Sequence, residues 1–205
     1  MPETILALDP STDVTGAALF SVSESGEVLL LEMTSFDGFE ISEQPRSRTG
    51  LVDRLERIAK TRTALSAWLG VECGQWGEIN HVAYETQSGR GHASSEALVM
   101  AVGNYLTLSR LWRTPLIEVN RSAACAAVGA SKVYAERAGA TSAEREAKRA
   151  RLKQAVICGV NAKLGLTLQP DQDAEADAIA VGLVGAARVV AAMKTAKTKK
   201  AGAKK

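Results

Sequence analysis

Four acidic residues stand where the chain can gather them at one point: Asp9 closing an apolar run, Glu85 closing another, and Asp173 with Asp177 at the start of a late helix. Carboxylates collected on one sheet edge form an all-oxygen site, the kind that holds Mg²⁺ or Mn²⁺. Without a counter-charge, two carboxylates about 5 Å apart repel by roughly 3 kcal/mol at an effective dielectric near 20. A cluster of three or four therefore requires a cation. The run Ile5-Leu6-Ala7-Leu8-Asp9-Pro10 ends on a proline that cannot continue a central ladder, which holds Asp9 at a strand end. His81-Val82-Ala83-Tyr84-Glu85 repeats the design. Asp173 and Asp177 are four apart, so they share one helix face, and the alanines around them permit close packing on a sheet.

The elements that position these acids follow from the hydrophobic pattern. Residues 4–9 and 14–22 read as strands, and a turn at Ser25-Gly26-Glu27 leads into a third, Val28 to Met33, giving an antiparallel meander. Phe36 to Gly50 is polar and reads as a loop. Leu51, Leu55, Ile58, Leu65, Trp68 and Leu69 recur at helical spacing, predicting a helix that ends near Gly70. A fourth strand covers 79–85, a Gly-rich loop Ser88 to His92 follows, a helix runs from about Ser94 to Trp112, and a fifth strand covers 115–119. A short helix from Arg121 to Val128 closes at Gly129, a longer one spans Ser142 to about Leu164 with Thr141 and Glu144 at capping-box spacing, and a last one runs from about Ala174 to Met193.

With 205 residues, 46% hydrophobic and 23% charged, the chain suits a single α/β domain over 1–193 followed by a disordered Lys-rich tail over 194–205. The 4% aromatic content and the alanine abundance favour helices packed on a sheet over an all-β sandwich. No signal peptide is evident and no apolar run approaches the 18 or so residues of a membrane span, so a cytoplasmic protein with no membrane partner is expected. Cys73, Cys125 and Cys158 form no CxxC pair and read as reduced thiols. The net charge of +2 averages unlike regions. Six lysines and no acid lie in 194–205, and residues 132–153 hold seven basic residues against three acids. An acidic site beside a basic band suits a metal-dependent enzyme acting on a polyanion.

The order of three antiparallel strands, helix, strand, helix, strand and then helices, with acids on the first strand, the fourth strand and the last helix, resembles the RNase H-like nuclease fold. That implies an α/β fold with a five-stranded mixed sheet, three strands antiparallel and then two parallel, flanked by helices. Within it, Ile5-Leu6-Ala7-Leu8-Asp9-Pro10-Ser11-Thr12-Asp13-Val14-Thr15-Gly16, Val82-Ala83-Tyr84-Glu85 and Glu175-Ala176-Asp177-Ala178-Ile179-Ala180 resemble the three motifs of the RuvC-type Holliday junction resolvases, in a shortened form like phage members. The resemblance implies a crossover junction endodeoxyribonuclease of a bacterial or phage-infected cell: a homodimer acting on four-way DNA with two Mg²⁺ or Mn²⁺ ions per site. Asp9, Glu85 and Asp177 are the implied ligands. Family members carry a further acid three residues before the last one; Ala174 stands there, so Asp173 or Glu175 supplies the fourth carboxylate, Asp173 lying better on the helix face.

The family's basic residues after the fifth strand are matched by Arg121, Lys132, Arg145, Lys148 and Lys153, with Lys148 expected near the scissile phosphate. Arg145, Lys148, Arg149 and Lys153 fall largely on one helix side as a phosphate-tracking ridge, and Arg90 in its Gly-rich loop is either a phosphate contact or an ordinary solvated residue. Two departures stand out. Ser11 replaces a usual glycine, and Thr86-Gln87-Ser88-Gly89-Arg90 lacks the aromatic residue that stacks at an opened junction. Alternatives are a less specific structure-selective DNase and an inert DNA-binding scaffold of the same fold. The sequence Asp9-Pro10-Ser11-Thr12 is also similar to the phosphate loop of actin-like kinases, but 205 residues leave no room for the second domain that fold needs.

Overall fold

The computed structural model describes residues 2–11, 13–47, 50–76, 78–86, 103, 113–136 and 141–202. Five strands, β1 (Glu3–Asp9), β2 (Val14–Val22), β3 (Val28–Asp37), β4 (His81–Thr86) and β5 (Leu116–Asn120), form one sheet in the order β3-β2-β1-β4-β5. The β1–β2 and β2–β3 pairs are antiparallel, and β4 and β5 run parallel to β1. This is the mixed sheet that the motif order implies.

Register decides what meets at the sheet edge. Asp9 lies opposite Gly16 of β2, while the β1–β4 ladder runs through Leu8 and Tyr84, so the next residue on each strand is Asp9 and Glu85. Strand alternation puts Ile5, Ala7 and Ala83 into one core cluster, and Asp9 and Glu85, two residues further on, belong to that same face. Glu85 in turn pairs with Val119, and two residues beyond Val119 Arg121 opens the next helix.

The helices are α1 (Gly38–Ser42), α2 (Leu51–Trp76), α3 (Arg121–Ala127), α4 (Ser131–Ala135), α5 (Ser142–Leu164) and α6 (Asp173–Gly202). One sheet face packs Leu6, Leu8, Leu19 and Tyr84 against Ile58, Leu65 and Leu69 of α2; Phe36 meets Trp68 edge-on at 6.2 Å. The other face packs on α6, α5 and α3 through Ala176, Ile179, Ala180, Val156, Ile157, Val160 and Cys125. Small residues let α6 approach closely: a β-carbon on Gly16 would stand 1.9 Å from the Ala174 carbonyl oxygen, and one on Gly182 would stand 2.1 Å from the Phe20 ring.

Several boundaries depart from the sequence pattern. The polar stretch 36–50 contains the end of β3 and the helix α1, which Asp37 caps by accepting from the backbone N–H groups of Phe39 (2.9 Å) and Glu40 (3.3 Å), with Glu43 closing it at φ 56°. Arg57 secures this region: it is 1% exposed, donates to Gln44 (3.0 Å) and Asp13 (3.3 Å), and lies 4.1 Å from the Phe39 ring centroid. The loop that follows Asp9 is thereby tied to α1 and α2. Helix α2 continues past Gly70 to Trp76, and α4 is an additional short helix.

The last helix runs to Gly202 rather than ending at Met193 with a disordered tail. Alanine and lysine are both strong helix formers, Thr195 and Thr198 bond back to the carbonyls of Ala191 and Lys194, and Lys197 Nζ donates to the Glu24 carbonyl at 2.7 Å. By length and composition α6 is apolar enough to cross a membrane, contrary to the expectation of no such stretch. Its burial against the sheet, with Ala176, Ala178, Ile179, Ala180, Val181 and Ala186 at 0–1% exposure, accounts for that composition. The helix read over 94–112, the loop holding Arg90 and the side chains of Cys73 and Trp76 lie outside the described residues.

Candidate active site

Asp9, Glu85 and Asp177 come together from the central strand, its parallel neighbour and the first turns of α6, and Arg121 joins them. The guanidinium donates from Nη1 to Glu85 Oε2 at 2.9 Å and from Nη2 to Asp177 Oδ2 at 2.8 Å. Both acids are buried, their side chains 5% and 10% exposed, while that of Arg121 is 23% exposed. Asn120 sets the start of α3 by accepting from the Ala123 N–H at 2.8 Å, which fixes the backbone from which Arg121 reaches the acids.

The electrostatics are those of an under-compensated acidic cluster. Loss of water raises the Asp9 carboxyl well above the usual carboxylate range; Asp177 and Glu85 raise it further, against the opposing pull of Arg121. Burial likewise raises Glu85 and Asp177, and in both the Arg121 charge works in the opposite direction. For Arg121 itself, burial disfavours the charge, but Asp177, Glu85 and Asp9 outweigh it and hold the guanidinium protonated. Among the described residues, Arg121 and Lys153 face four carboxylates, those of Asp9, Glu85, Asp173 and Asp177. A divalent ion is the natural further counter-charge, and the donor set, carboxylate oxygen throughout, fits Mg²⁺ or Mn²⁺. As arranged, with Arg121 spanning Glu85 and Asp177, no three His, Cys, Asp or Glu among the described residues are close enough together to hold a metal.

The choice for a fourth acid divides cleanly between two environments. Asp173 forms an ion pair with Lys153 and adds to the field at both Asp9 and Asp177. Glu175 turns to the sheet, where its Oε1 accepts from Ser35 at 2.8 Å and its Oε2 is buried without a hydrogen-bond partner. Asp173 is the acid at the site. Ser11, at the position of the usual glycine, has no positive φ; its N–H donates to Thr15 Oγ1 (3.3 Å) and its Oγ accepts from the Asp13 N–H (3.2 Å), so a side chain is accommodated in the turn after Asp9.

The basic residues separate in a way that periodicity does not foretell. Lys148, expected near the scissile phosphate, instead donates to the backbone carbonyls of Tyr134 (3.1 Å) and Glu136 and so fastens the end of α4. Carbonyls left over at a helix end are natural acceptors for an ammonium. Lys153 is the lysine beside the acids, and its charge lowers the Asp177 carboxyl. Arg145, Arg149 and Lys153, with Ser142 and Glu146, line a shallow polar cavity of about 510 Å³ along α5 that ends at Asp173 through Lys153. Lys132 is exposed on α4, and Arg151 pairs with Glu136 at 2.8 Å. Arg121, read from sequence as a phosphate contact, lies within the acidic cluster itself. The helix α5 that carries the ridge is held by the expected capping box of Thr141 and Glu144 and ends at Gly165 with φ 68°.

No protein-family model and no curated protein sequence matches this chain. Solved structures do. The RuvC of Thermus thermophilus in complex with a Holliday junction substrate superposes with a TM-score of 0.57 at 17% identity, covering 88% of this chain and 90% of that one. A second Thermus thermophilus RuvC structure gives 0.55 at 18%, with 88% and 91% covered. The fold is that of RuvC. The yeast mitochondrial Holliday junction resolvase is similar across 95% of this chain and 85% of its own, with a TM-score of 0.52 and 10% identity. The likeness in fold spans most of this chain and of each of these structures.

Proposed function

We propose that this chain is a divalent-metal-dependent endonuclease that hydrolyses phosphodiester bonds in branched DNA, four-way junctions foremost, acting as a homodimer. The observation that carries this reading is the meeting of carboxylates from β1, β4 and α6 at one end of the sheet, next to a groove lined by Arg145, Arg149 and Lys153. Similarity in fold to a RuvC in complex with a Holliday junction substrate supports the choice of substrate. Asp9, Glu85 and Asp177, with Asp173, would hold two Mg²⁺ or Mn²⁺ ions, which when bound activate a water and stabilise the departing 3′ oxygen. The protein's own part is positional. Asp9, on the central strand, would be a ligand with Glu85 and Asp177; Arg145 and Arg149 would track the backbone phosphates, and Lys153 would carry that positive track to the reacting group. A junction presents two equivalent strands, so two symmetric cuts need two sites, and a two-fold dimer supplies them.

A structure-selective DNase of wider substrate range is the second reading, favoured by Thr86 to Arg90, which offer no aromatic side chain to stack at an opened junction. Incubating the protein with labelled four-way junction, flap and linear duplex, each with Mg²⁺ or EDTA, separates the two. Paired symmetric incisions of the junction in Mg²⁺ alone, at least about tenfold faster than flap cutting, are expected. Equal rates on flap and junction favour the wider reading, and cutting in EDTA contradicts the metal requirement.

The two lysines of α5 make a sharp contrast. Lys153→Ala should slow cleavage by about tenfold or more while changing stability by only a few tenths of a kcal/mol, because its ion pair with Asp173 is solvent-screened. Lys148→Ala should leave the rate within about threefold and cost about 1 kcal/mol through the carbonyls it leaves at the end of α4. Cleavage rates paired with thermal melts decide this; the reverse pattern returns the phosphate role to Lys148.

A further inference from the structure

Resting on the reading of these acids as metal ligands, we infer that Arg121 is a positioning residue: a resident cation that holds Glu85 and Asp177 in place before a divalent ion arrives and that the ion must displace. The guanidinium and a metal would compete for the same two carboxylates. Arg121 already takes Glu85 Oε2 and Asp177 Oδ2, both on buried side chains, through the two ends of one rigid fork. A carboxylate oxygen that accepts a guanidinium N–H at 2.8–2.9 Å cannot present the same lone pair to an ion at about 2.1 Å.

Geometry also allows the exchange. The backbone at Arg121 is fixed at the first turn of α3, but the side chain is long and 23% exposed, so its head can leave without disturbing the helix. The consequence is thermodynamic. Because the arginine binds the metal-free site and the ion binds the vacated one, each weakens the other by the same factor. In metal-free protein the arginine spares two buried carboxylates an uncompensated charge; once freed, its fork is suited to a phosphate, which gives bound DNA a way to favour metal uptake.

The expected signature is a variant that loses stability and gains metal affinity together, a combination that a purely structural arginine does not produce. Manganese titrations of the full-length chain, followed by the electron paramagnetic resonance of free Mn²⁺, should show Arg121→Gln binding Mn²⁺ about tenfold more tightly than wild type, with Arg121→Lys between them. Melts in EDTA should show Arg121→Gln below wild type, with the gap closing as Mn²⁺ is added. Wild-type protein supplies a readout independent of any variant: the guanidinium N–H signals of Arg121 in ¹⁵N-arginine-labelled protein should be held and dispersed in EDTA and collapse to a freely rotating signal with Mg²⁺. Equal or weaker Mn²⁺ binding by a folded Arg121→Gln, or guanidinium signals unchanged by saturating Mg²⁺, would overturn the inference while leaving the acids as metal ligands. Failure of the wild type and both variants to bind Mn²⁺ would overturn the inference and the metal reading together.

Discussion

Asp9→Asn should lower the rate of junction cleavage by at least about 10³-fold while leaving junction affinity within about threefold. The substitution keeps the shape of the side chain and removes only its charge, at the acid whose field is coupled to Glu85, Asp177 and Asp173 together. On the proposed reading, DNA affinity comes from Arg145, Arg149 and Lys153 along α5, so binding should survive. Stability should move in the opposite direction to activity. Asp9 has a raised carboxyl pKa in the folded protein, so the folded state takes up its proton more readily than the unfolded state does. The stabilisation from that protonation is present below the ordinary Asp range and is lost as pH rises through the folded value. Ionising Asp9 is therefore a net cost to the fold that asparagine does not bear, and the variant should melt at or above the wild-type temperature in EDTA. Cleavage by Asp9→Asn at the wild-type rate would remove Asp9 from the chemistry.

The second large effect is expected at a residue with no chemistry of its own. Gly16 lies opposite Asp9 in the β1–β2 ladder, and a β-carbon there would sit 1.9 Å from the carbonyl oxygen of Ala174 and 2.6 Å from its carbon. Those atoms belong to the backbone of the first turn of α6, between Asp173 and Asp177, and backbone cannot yield as the tip of a flexible side chain does. Gly16→Ala must therefore lift the start of α6 away from the sheet. A displacement of about 1 Å at a site built from separate elements costs on the order of 10²-fold in rate, and overpacking of this kind costs about 1–3 kcal/mol in stability. Gly70→Ala is the control, because its added β-carbon meets nothing within 4 Å in the exposed part of α2. It should be neutral or slightly stabilising. A Gly16→Ala protein that melts lower but cleaves at the wild-type rate would show that the close approach serves packing alone.

The acids were legible in the sequence because their signals are local. Pro10 ends β1 directly after Asp9, the Val82-Ala83-Tyr84 run ends β4 near Glu85, and four-residue spacing puts Asp173 and Asp177 on one helix face. Strand β2 matches its apolar run at both ends. What was not legible depends on distances between elements remote in sequence. Nothing local announces that Arg121, the first residue of α3, bridges Glu85 and Asp177, 36 and 56 residues away. The helix α1 rests on a single capping aspartate, Asp37, and on the left-handed Glu43, where composition suggests only a loop. For the two lysines of α5 helical spacing does not separate the roles: Lys148 is the half-buried one, held by carbonyls at the end of α4, while Lys153 stays exposed beside Asp173.

Crystals of the protein soaked in Mn²⁺ and measured for anomalous scattering test the central claim most directly. The account predicts Mn²⁺ within about 2.2 Å of carboxylate oxygens of Asp9, Glu85 and Asp177, with Arg121 turned out of the cluster. Manganese bound only away from these three residues, in protein that still cuts DNA, would contradict it.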